Sequence, residues 1–179
     1  MWRPQVGSRW APFILALLAV TNAGAGCVDD IAPAHTVGAG TFCILGFCLY
    51  DARLIASSVP VSFDGRFALE LTYRRAIHGE RLVKAGMDEI ERLAEPPLPA
   101  VTRTTWRTDM ERAFGDVVSG DVLCGVYLPA YGARFYANGR LAADIADPVF
   151  ARAFFGIWLD PRTRAPSLRR QLLGVTGRN

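Results

Sequence analysis

Histidine and cysteine are scarce in this chain of 179 residues, with two of the first and four of the second. No pair of cysteines has the C-x-x-C spacing of a zinc or redox site. With only His35 and His78 beside them, no metal is expected. Basic runs are missing as well. Lys plus Arg number 20 against 17 Asp plus Glu, for a net charge of +3, and nowhere do five basic residues follow one another. That leaves no stripe for a phosphate backbone, and no nucleic-acid partner is expected. Neither an internal repeat nor a low-complexity linker divides the sequence, and no cofactor is expected. What is present is 51% hydrophobic and 21% charged residues, the make-up of one ordinary globular domain and too apolar for a disordered tail.

Near the N-terminus the apolar stretch from Ala11 to Val20 (APFILALLAV) runs for about ten residues, about half of a bilayer span but the length of a signal-peptide core. Arg3 and Arg9 precede it, and Ala23-Gly24-Ala25 follows as an A-x-A cleavage site. The expectation is a signal peptide over residues 1–25, a single domain over 26–179, an exported and periplasmic protein, and no transmembrane helix in its mature form. Cys27 offers a second reading, a lipoprotein acylated there. Gly24 stands where a lipobox normally carries leucine, which weighs against it.

An oxidising compartment lets Cys27, Cys43, Cys48 and Cys124 pair. Cys43 and Cys48 lie five apart in what reads as one strand, so they point to opposite faces and are not expected to bond to each other. A bond from Cys124 to one of them is the easier geometry. The alternative is that Cys43, Cys48 and Cys124 are small buried apolar residues.

Beyond the leader, strands come first, then helices, then a hairpin, then helices again, which is an α+β order. Thr41 to Ala56 reads as one long strand bent at Gly46 and entered through Gly38-Ala39-Gly40. Phe67, Leu69, Leu71 and Tyr73 alternate with Ala68, Glu70 and Thr72 as in a half-buried strand. Helical spacing runs from His78 to about Leu93, is stopped by Pro96, Pro97 and Pro99, and resumes from about Thr104 to Phe114. Val122 to Leu128, Ala133 to Asn138 and Arg140 to Ile145 are strands, the last two joined by an Asn138-Gly139 turn. Asp147-Pro148 caps a helix to about Leu159, and Pro166 to Leu173 forms a last short one.

The stretches VGAGTFCILGFCLYDARLIA, FALELTYRRAIHGERL, GDVLCGVYLPAYGARFYANGRLAADIADPVFARAFFGIWLDPRT and PSLRRQLLG resemble the bacterial chalcone isomerase-like proteins, most specifically between Gly120 and Arg162. The resemblance implies an open-faced β-sandwich, a large antiparallel sheet backed by helices. In the plant enzymes of that fold, an Arg on the strand before the bend and a Thr just before the bend hold and polarise a flavonoid, assisted by a Tyr and an Asn through water. Setting that pattern on this sequence puts Cys43 at the threonine and the run Gly38 to Thr41 at the arginine, and no arginine lies between Arg9 and Arg53. The oxyanion then lacks its electrostatic partner, which is worth several kcal/mol in such chemistry. The fatty-acid-binding relatives use an Arg with a Tyr for the carboxylate, and that strand arginine is missing here too.

Arg53, Arg74, Arg134 and Arg140 are possible substitutes, interleaved with tyrosines on or beside strands. The candidate ligand-binding set is Tyr50, Tyr73, Arg74, Tyr127, Arg134 and Tyr136, since an Arg beside tyrosines in a concave apolar sheet can anchor a carboxylate or enolate. No catalytic residue is assigned. His78 reads as a helix cap or surface residue. Glu70 is exposed if its face of the strand is solvated, and the stripe Phe150, Phe154, Phe155 and Trp158 reads as core. Two readings follow: a protein binding a small hydrophobic or fatty-acid-like molecule between sheet and helices, or an isomerase of the intramolecular-lyase type with a relocated arginine. A structural partner within the cell envelope is a third.

Overall fold

The computed structural model describes residues 26–175. The signal peptide expected over 1–25 and the last four residues lie outside them. A short 3-10 turn at Asp29–Ile31 precedes six strands and four helices. In chain order these are β1 (His35–Ile44), β2 (Phe47–Ala56), β3 (Phe67–Tyr73), α1 (Gly79–Leu93), α2 (Ala100–Ala113), β4 (Val122–Leu128), β5 (Gly132–Ala137), β6 (Arg140–Ile145), α3 (Pro148–Leu159) and α4 (Pro166–Leu172). The strands form one antiparallel sheet in the order β1-β2-β3-β4-β5-β6, so every strand neighbours its successor. The helices cover one face. The result is the open-faced α+β arrangement expected from the sequence.

Alternation along the strands sorts residues between the two faces. Ala52, Leu54 and Ala56 of β2, Phe67, Leu69, Leu71 and Tyr73 of β3, Tyr127 of β4 and Phe135 of β5 join the helices in the main core. The intervening Ile55, Ala68, Cys124, Val126 and Tyr136 face the other way, where among the described residues the N-terminal segment with Cys27 and Ile31 covers them. α3 is the most deeply buried helix, with Phe150 and Phe155 fully enclosed. Its start follows from sequence. The Asp147 side chain accepts from the backbone N–H groups of Val149 and Phe150, both at 2.9 Å, and Pro148 takes the first-turn place where no amide is needed.

The expected bent strand from Thr41 to Ala56 is instead a hairpin. Leu45 and Gly46 have φ of 50° and 83°, so the chain reverses at the point where a bend was read, and β1 continues back to His35. Gly38 and Gly40 are not an entry loop but part of β1. A Cβ on Gly38 would collide with the backbone oxygens of Gln171 and Leu172, and one on Gly40 with the Gln171 side chain, so the glycines let α4 lie directly on the strand. The reversal also overturns the cysteine reading. Cys43 and Cys48 sit opposite each other in the β1–β2 register and are bonded, while Cys27 is bonded to Cys124 of β4. Five residues apart in one strand they could not meet, but across a two-residue turn they must.

α2 starts four residues earlier than expected, at Ala100, because Pro99 is its N-terminal boundary as well as the stop for α1. The β5–β6 hairpin turns at Asn138 and Gly139 with φ of 48° and 77°, as its sequence predicts.

Candidate functional site

A cavity of about 570 Å³ lies between the covered face of the sheet and the helices. Its floor is made of the inward positions of four strands, Tyr50, Leu69, Leu71, Tyr73, Leu123 and Phe135. Gly125 keeps that floor low, since a Cβ there would stand 3.1 Å from the rings of Phe135 and Phe155. The roof is Leu82 and Gly86 of α1, Met110 and Phe114 at the end of α2, and Phe154, Ile157 and Trp158 of α3. The β1–β2 hairpin closes one end with Phe42, Cys43, Ile44 and Leu49, and the rim carries Asp88, Glu89, Thr163 and Arg164. Volume and apolar lining are those of a small-molecule pocket.

Two phenols supply polarity inside. The Tyr50 hydroxyl accepts a hydrogen bond from Trp158 Nε1 at 3.0 Å and keeps its own proton to donate. The Tyr73 ring meets the Tyr50 ring edge-on, with centroids 5.9 Å apart. Burial pushes the pKa of Tyr50 well above the usual phenol value, against the smaller pull of Trp158. Burial, reinforced by Tyr50, does the same to Tyr73. Both are neutral hydrogen-bond donors across the physiological range, and neither can serve as a base there. The guanidinium in the lining is that of Arg164, on the rim, where Nη1 meets Glu89 Oε1 at 2.8 Å and the side chain is 69% exposed. Glu89 is shared with Arg92 at 2.7 Å. Among the described residues no group of three His, Cys, Asp or Glu comes together to hold a metal, and no helix is long and apolar enough to cross a membrane.

Of the six residues singled out from sequence, Tyr50 and Tyr73 line the cavity. Tyr127 shares their face but lies farther along β4, packed among Phe63, Phe67 and Phe155. Arg74 lies just past β3, its Nε on Asp51 Oδ2 at 2.8 Å, outside the lining. Arg134 and Tyr136 belong to the opposite face. Arg134 is held by Asp30 at 3.1 Å and Asp144 at 3.0 Å, and Tyr136 donates to Asp30 at 2.7 Å. Arg53 pairs with Glu70 on that face at 2.8 Å, which makes Glu70 the surface carboxylate that alternation allowed. His78 stands exposed at the start of α1, beside Asp116 at 3.3 Å, and it is Asp116 Oδ1, not His78, that accepts from the Gly79 backbone N–H at 2.8 Å.

Sequence reasoning did not reach Arg164, Phe42 or Phe114. Strand parity did carry a usable signal: Arg53 neighbours inward Ala52 and Leu54, and Arg134 neighbours inward Ala133 and Phe135, so neither could point into the cavity. Arg164 lies in the loop between α3 and α4, where no period exists to place it. The aromatic stripe of α3 is core as expected, and two of its members, Phe154 and Trp158, also wall the cavity.

Residues 51–174 match the family model described as chalcone isomerase-like. An uncharacterized protein of Haemophilus influenzae is 32% identical over 111 residues, 62% of this chain, and the chain spans about half of that relative's length, 53%. The crystal structure of a fatty-acid binding protein of Arabidopsis thaliana superposes with a TM-score of 0.62 over 79% of this chain and 87% of that one, at 9% identity, a likeness of fold.

Proposed function

Since the chain belongs to the chalcone isomerase-like family, we propose that its described fold serves as an exported binding domain that holds a small hydrophobic or fatty-acid-like molecule in the cavity. The observation that carries this reading is the apolar chamber of about 570 Å³ floored by two neutral phenols, with its guanidinium on the rim and already paired to Glu89. Apolar walls give affinity through buried area, and the Tyr50 and Tyr73 hydroxyls can donate to a carboxylate or carbonyl oxygen.

Cyclisation of a chalcone is the weaker reading. The position that resemblance sets against the plant threonine, Cys43, is bonded to Cys48 and has no proton to donate. The run set against the arginine, Gly38 to Thr41, packs against α4 through its glycines. A transition state needs a donor aimed at the developing charge, whereas binding needs shape and a dry lining. The two disulfides support passage through an oxidising compartment, which in turn supports removal of residues 1–25 and a periplasmic location.

Native mass spectrometry of the mature protein taken from the periplasm, followed by denaturing extraction, tests this. A bound small molecule in about equal amount is the expected result, and Gly86→Leu, which grows a side chain into the roof, should lose it. An empty protein that also fails to bind a dansyl-labelled fatty acid would end the binding reading. Turnover of a chalcone by the wild type would replace it with the isomerase.

A further inference from the structure

Two of the sheet's hairpin turns, β1–β2 and β5–β6, have matching φ angles and opposite chemistry. Leu45–Gly46 and Asn138–Gly139 have φ pairs of 50°, 83° and 48°, 77°. A left-handed first position favours Asn, Asp or Gly, and a branched apolar residue there carries a conformational cost. Asn138 repays its place by accepting from the Val122 backbone N–H and donating to Asp121, at 2.8 and 3.0 Å. Leu45 is 94% exposed, and next to it Ile44 is 49% and Phe47 60% exposed. Three large apolar side chains thus crowd the tip of one hairpin, in a turn where the chain uses Asn elsewhere.

The surroundings of the tip say what it meets. The Cys43–Cys48 bond closes the hairpin directly beneath it, so the tip is presented by a short, covalently tied ribbon. The Arg75 guanidinium lies 5.3 Å from the centre of the Phe47 ring, a cation beside an apolar wedge. Ile44 of the tip, Cys43 of the disulfide, and Phe42 and Leu49 behind it are all wall residues of the cavity, so apolar surface continues from the tip into the chamber.

We propose that the β1–β2 hairpin tip is a membrane-docking element that inserts Leu45, Ile44 and Phe47 into the interfacial layer of a phospholipid bilayer, with Arg75 at the level of anionic headgroups. Apolar side chains gain by leaving water for the acyl boundary, and a nearby arginine gains from the negative surface. Docked in this way, the hairpin wall of the cavity lies beside the lipid, and its continuous apolar surface guides an acyl chain between bilayer and chamber. That last consequence rests on the binding function proposed above, but the docking does not.

The test is co-sedimentation of the mature protein with vesicles of phosphatidylcholine and phosphatidylglycerol, comparing the wild type with Leu45→Asn, Phe47→Ser and Arg75→Gln. Leu45→Asn puts into this turn the residue that the other hairpin uses, so its denaturation midpoint should equal or exceed that of the wild type, and lost binding cannot be ascribed to unfolding. Removal of one bilayer-inserted apolar side chain should weaken vesicle binding by roughly tenfold. Arg75→Gln should reduce binding to anionic vesicles and leave binding to pure phosphatidylcholine unchanged. Binding of the dansyl fatty acid in the absence of vesicles should be the same in all four proteins, so failure of docking and failure of ligand binding are read separately. A wild type that stays in the supernatant, or variants that sediment as it does, would overturn the proposal. So would a dimer seen by light scattering that Leu45→Asn abolishes, which would assign the tip to a second copy of the chain.

Discussion

The two faces of the sheet are built from the same strands, yet they are held by different means. The inner face is packed: Phe67, Tyr127, Phe154 and Phe155 meet ring to ring, and the helices cover the sheet around the cavity. The outer face is paired. Arg53 with Glu70, Arg74 with Asp51, and Arg134 with Asp30 and Asp144 line it, and its small apolar patch is covered by a short segment bonded through Cys27 to Cys124. Area removed from water stabilises the first face, whereas exposed ion pairs stabilise little, so the second depends on its covalent tie. The difference also locates the candidate site: the apolar concave chamber lies where a second layer encloses the sheet.

The sharpest way to break this contrast is to cut the tie. The Cys27–Cys124 bond spans 97 residues, and chain-entropy arguments give a loop of that size about 4.7 kcal/mol of stabilisation. Cys27→Ser with Cys124→Ser should lower the unfolding free energy by several kcal/mol in denaturant titrations. The same substitutions at Cys43 and Cys48, which are five residues apart, should cost about 2 kcal/mol. Equal losses would mean that the outer face does not need its staple. Next in size is the inner face. Phe155 is fully buried against three rings, and Phe155→Ala should cost about 3–5 kcal/mol by the same assay.

Phe155 was legible as core from helical spacing alone, as were the Asn138–Gly139 turn and the Asp147–Pro148 helix start, because each is a local rule satisfied by adjacent residues. The β1–β2 hairpin was not legible. Leu45 breaks the turn code that the other hairpin obeys, and an unbroken apolar run on both sides of it hides the reversal. The cysteine pairing failed with it, since pairing depends on register and not on sequence distance. The cavity was half legible. Tyr50 and Tyr73 follow strand parity into it, while Arg164 depends on how a loop between two helices closes over α1, which no spacing records.

Alkaline titration separates the faces by a smaller effect. Burial raises the Tyr50 and Tyr73 phenols on the inner face. On the outer face burial, assisted by the hydrogen bond to Asp30, raises Tyr136 to about 12. A phenol whose folded pKa exceeds its unfolded value near 10 contributes stability that is fully present below about pH 10 and is lost as the pH rises toward the folded value. The denaturation midpoint should therefore fall between about pH 10 and 12. Tyr136→Phe should remove the outer share of that fall, and Tyr50→Phe with Tyr73→Phe the inner share. A fall left unchanged by all three substitutions would mean that these phenols titrate alike in the folded and unfolded chain.

The smallest effect is expected where the outer face looks most ordered. Arg53 donates to Glu70 through both Nε, at 3.2 Å, and Nη2, at 2.8 Å, across the β2–β3 register. Its side chain is 45% exposed, so water and salt screen the pair, and the ordering of two long side chains offsets part of the attraction. A double-mutant cycle with Arg53→Ala and Glu70→Ala should give a coupling of about 0.2–1 kcal/mol that vanishes in about 1 M salt. Dansyl fatty-acid binding should be unchanged in both single variants, because both side chains point away from the chamber. A coupling above about 2 kcal/mol would mean that this exposed pair is held as firmly as a desolvated one. A loss of ligand binding would show the outer face to be part of the site, and the division of labour between the two faces would fail at the pair that represents it best.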